Sequence, residues 1–371
     1  MDQNNVNSRF VKHLPLSCKI IYIVFAASIL LLILSIFVTP VADFFNDRIS
    51  WIFRTVISLL TAWIPFSLAE FLILILPVAA IGVIAYGNRR FSSSWRDMWI
   101  FCGILGAVVA AMLATYILTF GIGYRCSGID VKLGLNREKV STEELADTAN
   151  WLIEKIDEEA KNVTFTQKSS SIMPFTFGEM SDKLLSAYDT FSQKYGFIIN
   201  HYSRLKPVML SEAMTHTHIA GAYTYFTGEI NINTNFPDYT LPYTAAHEMA
   251  HQRGISREDE ANFVAFLVCT SSNDPYIRYS GYVSAYEYLA SALYYADSDV
   301  FSSVASRIPT EVNYEMIAYN KFFERYKDSP ISSISGAVND TMLKVNGTEG
   351  AASYGMVVDL TVAYYRAENA H

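Results

Sequence analysis

The sequence predicts an α+β, mostly helical fold in which N-terminal transmembrane helices, residues 1–120, precede a globular domain with a small sheet, residues 121–371. Three observations carry that expectation. Long apolar runs are confined to the first 120 residues, and helix-periodic segments dominate the remainder. Short β-branched or aromatic segments cluster between Pro207 and Asn233, just before a His-Glu-x-x-His motif. Composition agrees, because 51% hydrophobic with 17% charged residues is too apolar for a wholly soluble chain and too polar for a wholly embedded one. A formal net charge of -8 and the lack of a basic cluster argue against nucleic acid as a partner.

The first apolar run, Cys18 to Thr39, is long enough to cross a hydrocarbon core of about 30 Å, exceeds a signal-peptide core and has no A-x-A cleavage site. It reads as an uncleaved transmembrane helix in a lipid bilayer. Further runs extend from about Leu68 to Tyr86 and from about Trp99 to Phe120. Between the first and second, FFNDRISWIFRTVISLLTAWIPFS mixes charge, Trp and apolar residues from Phe44 onward, the pattern of an interfacial helix ended by Pro65. Arg9, Lys12 and Lys19 precede the first span and Arg89, Arg90 and Arg96 separate the other two. The positive-inside rule puts both basic segments in the cytoplasm, so a multi-pass chain of the cell membrane would carry everything after Phe120 on the extracytoplasmic side.

Beyond residue 121 the chain is long enough for one domain with its own core. Ser141 to Lys161 opens with a capping box, Ser141 to Glu144, and another helix is expected from Phe177 to Tyr195. Strands are expected at Pro207 to Leu210, Ala220 to Phe226 and Glu229 to Asn233, with Thr227-Gly228 as a hairpin turn. In the last, Ile230 and Ile232 alternate with Asn231 and Asn233, one face apolar and the other polar; at a sheet edge it would receive an extended peptide. Helices should follow at Gly281 to Asp297, Thr310 to Tyr326, Ser332 to Val345 and Tyr354 to Glu368. Cys18 and Cys102 fall in spans, whereas Cys126 and Cys269 either pair or remain buried thiols.

The motif lies in TAAHEMAHQRGISREDEAN, starting at Thr244. His247 and His251 are four residues apart, so on a helix both imidazoles leave one face, one turn apart, as a two-point metal claw. Glu248 sits beside them, where a carboxylate acts on water as general base without binding the metal. Pro242 suits the first turn of that helix and Gly254 its C-terminal end. A catalytic zinc needs a third protein ligand and an open position. The next helical run begins near Ser256, a candidate N-cap with Asp259 three residues on. It offers Glu258 as the third ligand, with Glu260 as competitor and Asn262 as a partner that orients a ligand histidine.

E-x-x-A-N after H-E-x-x-H resembles the second motif of the gluzincin metallopeptidases, in which its first Glu is the third ligand. The resemblance implies Zn2+ held by His247, His251 and Glu258, with Asn262 where many members have Asp. The longer run from Phe226 to Phe263, with DPYIRYSGY, VNDTMLKVNG and SYGMVVDL later, is similar to a bacterial membrane-anchored family catalogued as a domain of unknown function with a zincin-like motif. This implies a zincin-like metallopeptidase domain and brings no substrate with it.

The expected activity is hydrolysis of a peptide or protein substrate, with Glu248 catalytic. A catalytically inactive zinc-binding membrane sensor or scaffold is the alternative, and a cell-wall amide would suit the same chemistry. An oxyanion needs a donor near the metal; Arg278 and Tyr282 in RYSGY, or His216 and His218 in THTH, are candidates.

Overall fold

In the computed structural model, the structure describes residues 14–91, 95–166, 170–327, 329–350 and 356–369. The architecture is mostly helical with one three-stranded sheet. Three helices are long and apolar enough to cross a membrane: α1 (Leu16–Phe37), α4 (Leu68–Phe91, whose candidate span is Leu68–Arg89) and α5 (Trp95–Thr119). Arg9 and Lys12, which entered the orientation argument, lie outside the described residues.

Between α1 and α4 run α2 (Thr39–Phe44), a π-helical turn (Phe45–Ser50) and α3 (Trp51–Ala62). The helix stops three residues before Pro65, whose ring disfavours helical geometry just ahead of it. The sequence reads this segment as an interfacial helix, and such a helix turns its polar face to water when nothing packs on it. Its polar face is instead buried: Arg54, Ser58 and Thr61 point into the protein, whereas Ile52, Phe53, Val56, Leu60 and Trp63 are exposed. Thr61 Oγ1 donates to Thr227 O at 2.9 Å, and Gln252 Nε2 donates to Ser58 Oγ at 3.1 Å.

After α5 a short 3-10 turn (Gly121–Arg125) leads to α6 (Ile129–Leu133), α7 (Thr142–Ala160) and α8 (Phe177–Tyr195). The capping box of α7 forms as expected, and Thr176 with Glu179 forms a second one on α8. Next come β1 (Leu205–Pro207), α9 (Ser211–Thr215), β2 (Gly221–Thr224) and β3 (Glu229–Ile232). The hairpin turn is where the sequence put it: Gly228 has φ +67° and its N–H donates to Thr224 O at 2.7 Å.

The strand order β1-β3-β2 corrects one expectation, since β3 is central and the edges are β1 and β2. β1 also begins earlier than the predicted Pro207 to Leu210, because Leu205, Lys206 and Pro207 pair in parallel with Ile230, Asn231 and Ile232. Neither face of β3 meets water. Ile230 and Ile232 enter the core. Glu229 takes the backbone N–H groups of Leu68 and Ala69, and Asn231 Oδ1 accepts from Ser67 Oγ at 2.6 Å. On β1, Lys206 Nζ donates to Thr61 O and Ile64 O at the C-terminal end of α3. The sheet thus sets an anion against the start of one helix and a cation against the end of another, where the helix dipoles favour each.

The remaining helices are α10 (Thr240–Gln252), α11 (Glu258–Thr270), α12 (Pro275–Ala296), α13 (Ser298–Ala305), α14 (Thr310–Phe323), α15 (Pro330–Val345) and α16 (Val357–Asn369). α12 starts six residues before the predicted Gly281, because Asp274 caps it through the N–H groups of Tyr276 and Ile277. α10, α11 and α12 form the centre of the main core with α7 and α8 around them. Cys126 and Cys269 do not pair: both are free, and each is buried in a separate apolar cluster.

The turn from α10 to α11 is closed on a buried guanidinium. Arg54 Nη1 donates to Asn46 Oδ1 at 2.9 Å and Thr119 O at 3.1 Å, while Nη2 reaches Asn46 O and Arg253 O. Gly254 has φ +100°, and a Cβ there would lie 2.8 Å from Arg54 Cζ. Gly254→Ala is therefore expected to destabilise the protein by about 2 kcal/mol or more, from backbone strain plus displacement of the guanidinium. Thermal unfolding in detergent, with Gly336→Ala on α15 as an uncrowded control, measures it.

Candidate metal centre

Three side chains from two helices converge. His247 and His251 leave one face of α10, and Glu258 is the first residue of α11, brought back by the turn at Gly254. His247 Nε2 lies 3.2 Å and His251 Nε2 3.6 Å from Glu258 Oε2, and the three ligand atoms are all within 4.8 Å of one another. A tetrahedral ion with bonds of about 2.1 Å separates its ligand atoms by about 3.4 Å, so the residues fit a small divalent metal without large movement. His251 Nδ1 is 2.7 Å from Ile255 O, which as a carbonyl only accepts. Nδ1 therefore carries a proton in either charge state of the ring, and Nε2, which faces Glu258, is the nitrogen a metal would take by displacing its proton.

The ligand assignments separate cleanly. Glu260 faces away from the cluster: its Oε1 accepts from Ile129 N at 2.8 Å and Arg257 Nη2 at 2.5 Å. Ser256 is no N-cap, since Arg257 holds that position and the Ser256 hydroxyl donates to Phe120 O at 2.7 Å. Asn262 lines the same cavity as Glu258 but does not hold a ligand histidine; among the described residues His247 Nδ1 has no partner.

Burial sets the electrostatics. Desolvation draws the His251 imidazole down, yet the Glu258 carboxylate outweighs it and holds the ring at about 9. Burial likewise pushes Glu258 up, but His251 and His247 bring it well below the usual carboxylate range. Glu248 is raised by burial, against the pull of His247 and His251. Its Oε2 accepts from Tyr223 N, on edge strand β2, at 2.7 Å. A Cβ on Gly221 would lie 2.8 Å from Glu248 Cγ, so that glycine makes room for the carboxylate.

These groups line a cavity of about 890 Å³ with Ala220 and Gly221–Tyr223 of β2, Glu287 and Tyr288 of α12, Phe120, and the Ser332, Ser335, Gly336 and Asn339 side of α15. Several expected residues are elsewhere. Arg278 is bound to Glu159 by Nε at 2.6 Å and Nη2 at 2.8 Å, and Tyr282 stacks edge-on against Trp151 and Phe266. His216 packs against the Tyr326 ring. His218 does line the cavity, but its Nε2 lies 3.1 Å from Tyr326 O. A motif search had no means of finding Tyr223, which acts through its backbone, or Phe120, whose ring meets His251 at 5.5 Å from the end of α5. Glu287 and Tyr288 carried only a weak signal as polar residues within an aromatic helix.

The sequence profile of the family described as "Protein of unknown function (DUF3810)" matches residues 45–362. No curated protein matches the chain. Nor does any solved structure.

Glu287 offers a test of the cavity wall that needs no metal. Burial pushes its carboxyl up to about 7, only partly offset by the Tyr239 hydroxyl donating at 3.0 Å. A carboxyl with a raised folded value stabilises the fold fully below its unfolded value and loses that contribution as pH rises through about 7. Glu287→Gln should therefore gain about 1–3 kcal/mol relative to the natural protein at pH 8 and nothing near pH 4.5. Thermal melts at the two pH values measure the difference.

Proposed function

We propose that this chain, which belongs to the family described as a protein of unknown function (DUF3810), is a membrane-anchored zinc metallopeptidase of gluzincin type. One observation carries the reading: His247, His251 and Glu258 each offer a ligand atom within 4.8 Å of the others on the wall of a large cavity that Glu248 also lines. A zinc ion held by these three residues would supply a Lewis acid that polarises a carbonyl and brings the pKa of water to about 7.

The chain's own groups would do the rest. Glu248 takes the proton of the attacking water as its oxygen bonds to the scissile carbonyl carbon. It then delivers that proton to the leaving nitrogen as the C–N bond breaks, giving a carboxylate and an amine. Tyr223 N–H fixes one oxygen of Glu248 and so aims the other. β2 is the edge strand that borders the cavity, which supports binding of an extended peptide along it. The donor to the carbonyl oxygen is Tyr288, a phenol of the cavity wall near enough to Glu258 to feel its charge. The basic residues before α1 and between α4 and α5 favour an extracytoplasmic position for this domain.

The test joins metal content to turnover. The purified protein is expected to bind one zinc; Glu258→Gln should weaken binding by about 10–100-fold, and Glu260→Gln should leave it unchanged. Glu248→Gln should keep the metal and lower hydrolysis of a quenched-fluorescent peptide library by about 100-fold or more. Unchanged turnover in that variant, or no stoichiometric metal, defeats the peptidase. Full zinc occupancy without hydrolysis in the natural protein would favour the sensor or scaffold.

A further inference from the structure

α15 is built unlike the other helices around the cavity. Ser332, Ser335, Gly336, Asn339, Met342 and Leu343 line the cavity, and among the residues of α15 only Leu343 is buried. Turned roughly a third of a revolution from that side is a second stripe at helical spacing, Ile331, Ile334, Val338, Met342 and Val345, with Met342 on its border with the cavity. All five are exposed, Ile334 to 65%, Val338 to 64% and Val345 to 77%. A third side carries Ser333, Asp340 and Lys344. Exposed apolar stripes of this length rarely face water, so something covers this one.

The placement of α15 identifies the cover. Its C-terminal end is fastened to the end of span α5: Leu343 packs with Phe120 and Tyr124, and Tyr116 Oη donates to Asn346 Oδ1 at 2.8 Å. The sheet bordering the same cavity lies along the membrane end of α4. At one end of β3, Glu229 caps Leu68 and Ala69; beyond the other end, the N–H groups of Met209 and Leu210 bond to Glu70. The bilayer surface therefore runs past the cavity, and the exposed apolar residues of α3 continue it. With 16 residues, α15 extends about 24 Å from its anchor at Phe120.

We propose that the apolar stripe of α15 docks on the bilayer crossed by α1, α4 and α5, so that α15 is an interfacial helix seated on the membrane by one side and walling the cavity with another. The apolar residues enter the boundary between headgroups and acyl chains, while Asp340 and Lys344, themselves paired at 2.7 Å, stay in water. This inference does not rest on metal or on hydrolysis.

Spin labels on the full chain in phosphatidylcholine–phosphatidylglycerol nanodiscs test it. Cys102 is the exposed native thiol among the four and is replaced by Ser; single cysteines are then placed at Ile334, Val338, Ser333 or Lys344, all exposed positions. The ratio of oxygen to nickel–chelate collision should be about threefold or more higher at 334 and 338 than at 333 and 344. Equal, water-like ratios at all four positions overturn the proposal. So does mutual dipolar broadening at 334 and 338 without oxygen preference, which would put a second copy of the chain there. Intact zinc binding with water-like labels would refute the docking alone, whereas membrane-like labels without zinc would refute only the peptidase.

Discussion

The turn that carries Glu258 back to the two histidines depends on the hydrogen-bonded guanidinium of Arg54. It sits fully buried on α3 and donates to Asn46 of the preceding π-helical turn, to Thr119 O at the end of α5 and to Arg253 O in the α10–α11 turn. Asn46 completes the junction by donating to Gly254 O at 3.2 Å. A buried cation without partners would be costly, so the surrounding oxygens and the charge hold one another in place. The consequence reaches the candidate metal centre directly. The turn fixed by Arg54 decides where α11 begins, and α11 begins with Glu258.

From that turn the geometry of the site follows in two steps. α10 alone supplies two imidazoles on one face, but two ligands do not make a closed set. Only when Gly254, at positive φ, reverses the chain does Glu258 come within 3.2 Å of His247. The strained backbone is thus tied to a chemical requirement, and the packing of Phe120 against His251 with the Ser256 bond to Phe120 O keeps the reversal tight. Glu248 is held by a different element, the N–H of Tyr223 on β2. The His247–His251–Glu258 cluster and Glu248 are thus positioned independently, by a turn and by a sheet edge.

The membrane segment is part of this machinery. α3 turns its apolar residues outward and its polar ones toward the sheet, the reverse of a helix floating on a surface. Lys206 and Glu229 then meet the end of α3 and the start of α4 with opposite charge. Such contacts are sensitive to helix position because dipole interactions fade within the first or last turn. The family match beginning at residue 45 is consistent with a unit that includes α3.

Much of this was legible in the chain because it depends on local periodicity. The spans, the capping box at Ser141, the hairpin at Thr227-Gly228 and the helix bearing His247 and His251 follow from neighbours within a few residues. The mostly helical character with a small sheet follows from the same patterns. What the tertiary structure decided are facts about partners distant in sequence. Strand order put β3 in the centre and β2 at an edge, since register between β1 and β3 joins residues about 25 apart. The roles of Glu258 and Glu260 diverged because one faces α10 and the other meets Ile129 and Arg257, a difference invisible in two carboxylates of one helical turn. Arg278 and Tyr282 left the site for Glu159 and Trp151 on α7 for the same reason: local sequence sets which face a side chain leaves from, and only the packed fold sets what that face meets.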